Sequence, residues 1–474
     1  MTRALLLIAA ALSAMPIAAA AAPCADTLCD ADELRPYFEK LMAARAKRSG
    51  RPVHILQIGD SHTAGDAITG GWRDLLQARF GSGGRGVLAG GRPYQGYLTR
   101  GVTVTMSSGW QVKSIYGANS AEPRPPIGLA GFSLTARTSG AKIALTAEPN
   151  QMFDRFVLCA VADRDAGTLV VRLAGAEARM QLNSVSPRPE CRTFDTFGLA
   201  SAVEVEAEGA PVTITSWATF RDAGGVVLSN VGVVGAQLMH FARTSDSVIG
   251  EELKSYRPDL IVMAFGTNEG FTPRFSPSSY EITLRTQIGR LRRLAGNVPI
   301  LLLGAPDASS RQPALRANAD GAPAICPGTG SDWSPSAPAT PAPVRSDPLA
   351  ATIDALRDQA ATEGLASDPA IATAAIVPAP RPAPVAATRP SLFAPPALKA
   401  TRDIQRKVAA QLGVAFWDWE ARMGGPCSAV KWVRGTPPLM RGDYVHFNSA
   451  GGREIGRLLQ GDLDRAASAA LGGR

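Results

Sequence analysis

Ile55-Leu56-Gln57-Ile58-Gly59-Asp60-Ser61-His62 is the stretch around which the 474-residue chain is organised. Val53, Ile55, Leu56 and Ile58 read as a buried strand. Gly59 permits the sharp turn that leads from a strand into a helix. Ser61 then stands at the carboxyl end of the strand, where open parallel α/β sheets collect their ligands. A serine at that place is a candidate nucleophile, and the rest of the chain has to supply its partners.

Working outward, the pattern of alternating strands and helices continues on both sides. Leu34, Phe38 and Leu41 mark a helix before the stretch. Trp72, Leu75, Leu76 and Phe80 mark one after it. Gly81-Ser82-Gly83-Gly84-Arg85-Gly86 has the letters of a dinucleotide fingerprint, but it follows a helix instead of a strand and lacks a suitably spaced acid. It reads as a glycine-rich loop that ends the helix. Further strands are expected at Val226 to Val233, Leu260 to Phe265, Ile300 to Leu303 and Val414 to Trp417. Helices are expected around Val248 to Tyr256, Tyr280 to Leu291, Ala397 to Leu412 and Ile455 to Leu463. Five parallel strands alternating with helices predict an α/β fold, a three-layer doubly wound parallel sheet of flavodoxin-like type.

Two stretches break this pattern. Between residues 101 and 222 the period changes to two, as in Val102-Thr103-Val104-Thr105, Phe132 to Ala136 and Val212 to Trp217, which predicts an inserted β-sandwich. Residues 311–396 hold sixteen of the 36 prolines, with Trp333 and Phe393 as their aromatics. So little apolar surface cannot offset the entropy of ordering, and a disordered insertion is expected, with one helix around Leu349 to Glu363. The expected organisation is therefore a signal peptide at 1–22 and an α/β domain in three parts, 23–100, 223–310 and 397–468. The β insertion (101–222) and the Pro/Ala-rich insertion (311–396) interrupt it, and 469–474 is a tail.

Composition narrows the function classes. The net charge of +8 is spread over the chain without a basic, aromatic-rich stripe, so no nucleic-acid partner is expected. Arg3, the apolar run Ala4 to Leu12 and the small residues Ala18 to Ala22 read as a secretory leader. No later run is long and apolar enough to anchor the chain, which points to an exported, periplasmic or secreted protein without stable membrane insertion. Six cysteines then read as three disulfides, with fifteen possible connectivities. Keeping each pair within one region gives Cys24–Cys29, Cys159–Cys191 and Cys326–Cys427. The cysteines lack zinc-ligand spacing and only His54, His62, His240 and His446 accompany them, so neither a metal nor a cofactor is expected.

Four short blocks fall at the carboxyl edge of the expected sheet: Ser61, the Gly232/Gly235 turn, Gly266-Thr267-Asn268-Glu269, and Asp443-Tyr444-Val445-His446. Acyl transfer needs these parts. His446 can act as base to Ser61, and Asp443, one turn earlier, can fix the imidazole. The backbone N–H groups of Ser61 and Gly235 and the Asn268 amide can form an oxyanion hole. His62 reads as a pocket wall, Asp60 as a residue that holds the turn, and Glu269 as an orienting or structural carboxylate. His54 and His240 read as packed or surface residues. Trp417 and Trp419 read as core or as support for the His446 loop.

This constellation resembles the SGNH, or GDSL-like, hydrolases, whose four blocks match Gly59-Asp60-Ser61, Gly235, Gly266-x-Asn268 and Asp443-x-x-His446. The details Gly-Asp-Ser-His, Gly-Thr-Asn-Glu and Trp417-Asp418-Trp419…Met423-Gly424-Gly425, together with a β insertion after the first block, resemble the periplasmic peptidoglycan O-acetylesterases. The resemblance covers about residues 50–100, 226–306 and 400–465, and the 311–396 segment is unusual for the family. It implies a serine esterase whose partner is an acetylated glycan polymer, peptidoglycan. Ser61, Asp443 and His446 would be its triad, and Ser61, Gly235 and Asn268 its oxyanion hole. An O-acetyltransferase, an esterase of small or lipid esters, and a glycan-binding protein with an idle hydrolase domain remain the rival readings.

Overall fold

The computed structural model describes residues 24, 27–97, 99–116, 126–209, 211–311, 325–327 and 391–472. The expected leader (1–22), most of the insertion expected at 311–396 and the helix expected around Leu349 to Glu363 lie outside the described residues.

Six strands form the α/β sheet: β1 (Leu28–Cys29), β2 (Val53–Gly59), β3 (Val226–Gly232), β4 (Leu260–Ala264), β5 (Ile300–Leu303) and β6 (Ala415–Trp417), in the spatial order β1-β6-β5-β4-β2-β3. The five expected strands are all parallel to one another. Their order, counted along the chain, is the doubly wound 2-1-3-4-5. β1 adds a short antiparallel edge on β6. Two residues carry no periodicity, so the sequence reading had no signal for it.

Strand alternation explains the three layers. Leu56, Ile58, Ile261, Met263, Ile300, Leu302 and Phe416 pack on one face against Ile249, Leu253, Leu284, Ile288 and Val408. Val53, Ile55, Leu260, Val262, Leu301, Leu303 and Trp417 pack on the other against Phe38, Leu41, Trp72, Leu76, Ile455 and Leu459. Local signals set the helix starts. Ser276 Oγ accepts from Ser279 N with Pro277 next to the cap, and Asn448 accepts from Gly451 N at the start of the last helix. Gly81-Ser82-Gly83-Gly84 does follow the helix Ala67–Phe80 as a loop, and Gly81 N donates to Gln77 O.

Between β2 and β3 the chain makes two antiparallel sheets. One joins Val102–Met106, Lys142–Ala147, Ala202–Glu208, Thr168–Leu173 and Ala176–Gln181. The other joins Trp110–Ser114, Phe132–Ala136, Val212–Phe220, Phe153–Ala162 and Arg188–Ala200, and Gly86–Leu88, upstream of residue 101, also pairs with Val212–Phe220. Side chains of both sheets share one apolar cluster, among them Val104, Leu145 and Val205 from the first and Phe156, Leu158 and Trp217 from the second. The outer face of the second sheet packs on the helix Asp246–Tyr256. There the buried Glu252 carboxylate accepts from Leu129 N, Thr215 Oγ1 and Ser216 Oγ, so this seam is a specific joint and not only an apolar one. Burial pushes the Glu252 carboxyl pKa up against those three donors. The disulfides are Cys24–Cys29, Cys159–Cys191 and Cys326–Cys427, the region-by-region pairing expected.

Candidate active site

Ser61 opens a one-turn helix, Ser61–Ala64, directly after β2. A Cβ on Gly59 would lie 2.5 Å from Ala264 O on the neighbouring strand and 2.3 Å from Thr63 Oγ1. The glycine is thus required by close approach. Asp60 accepts from His62 N at 3.0 Å and its own N–H donates to Ala264 O, which holds the turn as expected. The turn leaves Ser61 4% exposed, at the edge of the sheet next to the switch between β2 and β4.

Asp443-Tyr444-Val445-His446 reaches this turn from the other end of the chain. His446 Nε2 is 2.9 Å from Ser61 Oγ, and His446 Nδ1 is 2.8 Å from Asp443 Oδ2. Asp443 Oδ1 also accepts from the backbone N–H groups of Val445 (2.9 Å) and His446 (3.0 Å). Burial opposes ionisation of Asp443, but the imidazole and the two N–H donors outweigh it and hold the carboxyl well below the usual range. Asp443 is therefore an anion at neutral pH, able to orient the imidazole and to stabilise its cation.

Gly235 follows β3 with φ +75°, and the Tyr116 ring lies 3.2–3.5 Å from where its Cβ would stand. Both facts demand glycine. Asn268 lies in the turn Thr267–Gly270 after β4, and its Nδ2 donates to Ala236 O at 2.9 Å. That bond uses one of the two amide hydrogens and fixes the direction of the other. Two more bonds stitch these turns together: Gln237 Nε2 to Asn268 O, and Leu238 N to Glu269 Oε1 at 2.7 Å. Glu269 is 5% exposed, and burial, aided by nearby Asp60, pushes its pKa up to about 7.

His62 lines the depression at Ser61, as a pocket wall would, but most of its ring is buried. It is 5% exposed and walled by Trp419, Phe447 and His446, with ring centroids 5.6, 5.7 and 5.3 Å away. Its Nε2 donates to Val445 O at 3.0 Å, and its Nδ1 lies 3.4 Å from Asp60 Oδ1 and from Thr267 Oγ1. Burial opposes its charge, yet Asp60 and the Val445 carbonyl raise its pKa. His62 thus ties the serine turn to the histidine loop. Trp419 stacks on Phe447 at 5.7 Å and so supports that loop, whereas Trp417 fills the core, its Nε1 donating to Asp462 Oδ2. His54 is buried between Tyr256 O and Ser229 Oγ, and His240 accepts from Gln237 N.

The sequence reading missed Tyr116, which the antiparallel region delivers to Gly235 beside His240, ring centroids 5.0 Å apart. No local pattern announces it. Ser61, His62, His446 and Phe447 line a shallow depression with Gly65, Ala67 and Ile68. A larger cavity, about 540 Å³, lies at the amino-terminal end of the sheet between Arg51, His54, Arg155 and Asp222, away from all these groups. Among the described residues no cluster of three or more His, Cys, Asp or Glu is placed to hold a metal, and no helix is long and apolar enough to cross a membrane.

The model of the GDSL-like Lipase/Acylhydrolase family matches residues 204–453, just over half of the chain. That span contains Gly235, Asn268, Asp443 and His446 but not Ser61. A solved structure described as "Peptidoglycan O-acetylesterase in action, 5 min" is similar with a TM-score of 0.65 and 24% identity, covering 93% of this chain and 99% of that one. A family two carbohydrate esterase from Cellvibrio japonicus matches with 15% identity over 46% of this chain and 81% of its own, but its TM-score of 0.16 carries no argument. No curated protein matches the chain. The family match and the shared fold lead to one conclusion: this chain belongs to the GDSL-like lipase/acylhydrolase family and is a carboxylic ester hydrolase of the SGNH type.

Proposed function

We propose that the chain is an exported serine esterase that removes O-acetyl groups from a cell-wall glycan, peptidoglycan, through a Ser61–His446–Asp443 triad and an acetyl-enzyme. The observation that carries this reading is the unbroken hydrogen-bonded path from Ser61 Oγ through the His446 imidazole to Asp443. Ser61 Oγ attacks the acetyl carbonyl while His446 Nε2 takes its proton. The oxyanion is held by the N–H groups of Ser61 and Gly235 and the free hydrogen of Asn268 Nδ2. Collapse breaks the ester bond, and the departing sugar oxygen takes the proton from His446. Water then attacks the acetyl-enzyme with His446 again as base, releasing acetate and restoring Ser61.

Three observations support the substrate. The depression at Ser61 is shallow, with Gly65, Ala67, Ile68 and Phe447 beside the two imidazoles, and its small size suits a methyl better than a long acyl chain. The similar solved structure is named as a peptidoglycan O-acetylesterase. The region 101–222, which we infer to be an inserted β-sandwich, sends Tyr116 to Gly235, where an aromatic ring could face a sugar. The leader-like residues 1–22 and the three disulfides support export. In this reading, 23–100, 223–310 and 397–468 form the hydrolase domain, and 311–396 is a second insertion before the tail at 469–474.

The test is acetate release from O-acetylated peptidoglycan by the wild type and by Ser61→Ala, with and without a soluble sugar acceptor. Free acetate from the wild type alone is expected. Acetyl groups moved to the acceptor without free acetate would replace this reading by a transferase. Cleavage of a simple aryl acetate alone would leave the triad and remove the glycan.

A further inference from the structure

Tyr444, in the middle of the Asp443–His446 loop, has φ +61° and is 9% exposed. A tyrosine in the left-handed region persists only where its surroundings hold it. The residues that hold it come from a distant part of the chain. Ser309 N donates to Tyr444 O at 3.0 Å, and Arg311 Nη2 donates to Gly442 O at 2.9 Å. The Tyr444 ring packs with Cys326, Leu392 and Val430 in a small buried cluster.

Apart from Val430, which belongs to the helix Ser428–Arg434, these partners lie at the two ends of the 311–396 stretch, and those ends are fastened to each other. Ser310 and Phe393 exchange both backbone hydrogen bonds at 2.8 Å, and Cys326 N donates to Leu392 O at 2.7 Å. The Cys326–Cys427 disulfide then ties the bundle to the start of the helix Ser428–Arg434. Asp307 completes the anchor by accepting from Ala429 N at 2.8 Å. His62 holds the same loop from the serine side, through Val445 O.

We propose that the two roots of the insertion, stapled by Cys326–Cys427, are the outer clamp of the acid–base loop: they hold Tyr444 and thereby set the Asp443–His446 pair against Ser61. Ser309, Cys326, Leu392 and Tyr444 are positioning residues that touch no substrate. The inference rests on the triad reading above. It makes activity depend on a disulfide that is remote from the reacting atoms.

The experiment compares Cys326→Ala/Cys427→Ala with the control pair Cys159→Ala/Cys191→Ala, and Tyr444→Gly with Tyr444→Phe. Readouts are kcat and KM on a soluble aryl acetate, and the downfield proton resonance of His446 Nδ1–H. Losing the Cys326–Cys427 staple is expected to lower kcat by about tenfold or more at nearly constant KM, as misplacement of a catalytic group does, and to weaken the proton signal. The control pair keeps both. Tyr444→Gly tolerates the backbone but loses the ring and behaves like the staple variant, whereas Tyr444→Phe restores activity. If the staple variant keeps kcat within twofold and retains the signal, the clamp is refuted. If the staple variant does not fold, the Tyr444 pair decides, and equal activity of glycine and phenylalanine refutes the clamp. If the parent shows no Ser61-dependent turnover, the esterase reading fails, and the His446 proton signal still decides the clamp.

Discussion

The serine turn and the histidine loop meet at one hydrogen bond but are built in opposite ways. Gly59 to Ala64 is buried, continuous with a central strand, and hydrogen-bonded to the next strand within a few residues of Ser61. Asp443 to His446 lies in no regular element; the side chains of Asp443 and His446 are 33% and 17% exposed. His62 holds that loop from one side and the residues around Ser309 from the other. The proposed nucleophile is placed by local geometry, whereas the proposed base is placed by contacts far apart in sequence. Substitutions in the turn should therefore act on folding and chemistry together, and those around the loop on chemistry first.

Substitutions at four positions sharpen this contrast, taken from the largest effect to the smallest. Asp443→Asn keeps the size of the side chain but no longer favours the tautomer that presents Nε2 to Ser61. A fall in kcat on the order of 10⁴ with an unchanged melting temperature is expected, from steady-state kinetics alongside thermal unfolding. Asn268→Ala removes one proposed oxyanion donor and should lower kcat by about 10²–10³-fold. A loss confined to KM would show that the amide serves only to tie Asn268 to Ala236. His62→Ala cuts the strut between the two regions and should cost about 10- to 100-fold in kcat through misplacement of His446. His62→Gln, which can still donate to Val445 O, should recover part of that loss; equal defects would refute the strut.

Glu269→Gln gives the smallest effect and a distinctive pH dependence. The folded carboxyl has its pKa raised to about 7 from an ordinary 4.5, so the folded state binds its proton more tightly than the unfolded chain. Stability then declines as pH rises from about 4.5 through about 7, by roughly 3 kcal/mol at most. Glutamine keeps the acceptor for Leu238 N and avoids the buried charge. Thermal unfolding at pH 8 should show Glu269→Gln several degrees more stable than wild type, with little difference at pH 5. A variant less stable than wild type at pH 8 would mean that the charge itself holds the Gly235 turn.

The same contrast explains what could be read from sequence. Ser61 was legible because a β-period run, a glycine and a serine are neighbours. Asp443 and His446 were legible because one turn of chain separates them, and Gly235 and Asn268 because each closes a strand of strong apolar pattern. His62 was visible as a neighbour of Ser61, but its partner Val445 lies near the other end of the chain, so its role as a strut was not. Tyr116 leaves a strand of the antiparallel region, and only tertiary packing brings its ring to Gly235. The roots of the insertion sit in Pro/Ala-rich sequence whose composition points away from order; a disulfide and a few backbone bonds override that composition at Cys326 and Leu392.

The most direct test of the account is the site of reaction with a fluorophosphonate, followed by mass spectrometry of the labelled peptide. The account predicts a single adduct on Ser61, slowed by several orders of magnitude in His446→Ala and unaffected in Cys159→Ala/Cys191→Ala. An unlabelled Ser61 in a protein that still hydrolyses esters, or labelling that does not need His446, would contradict it.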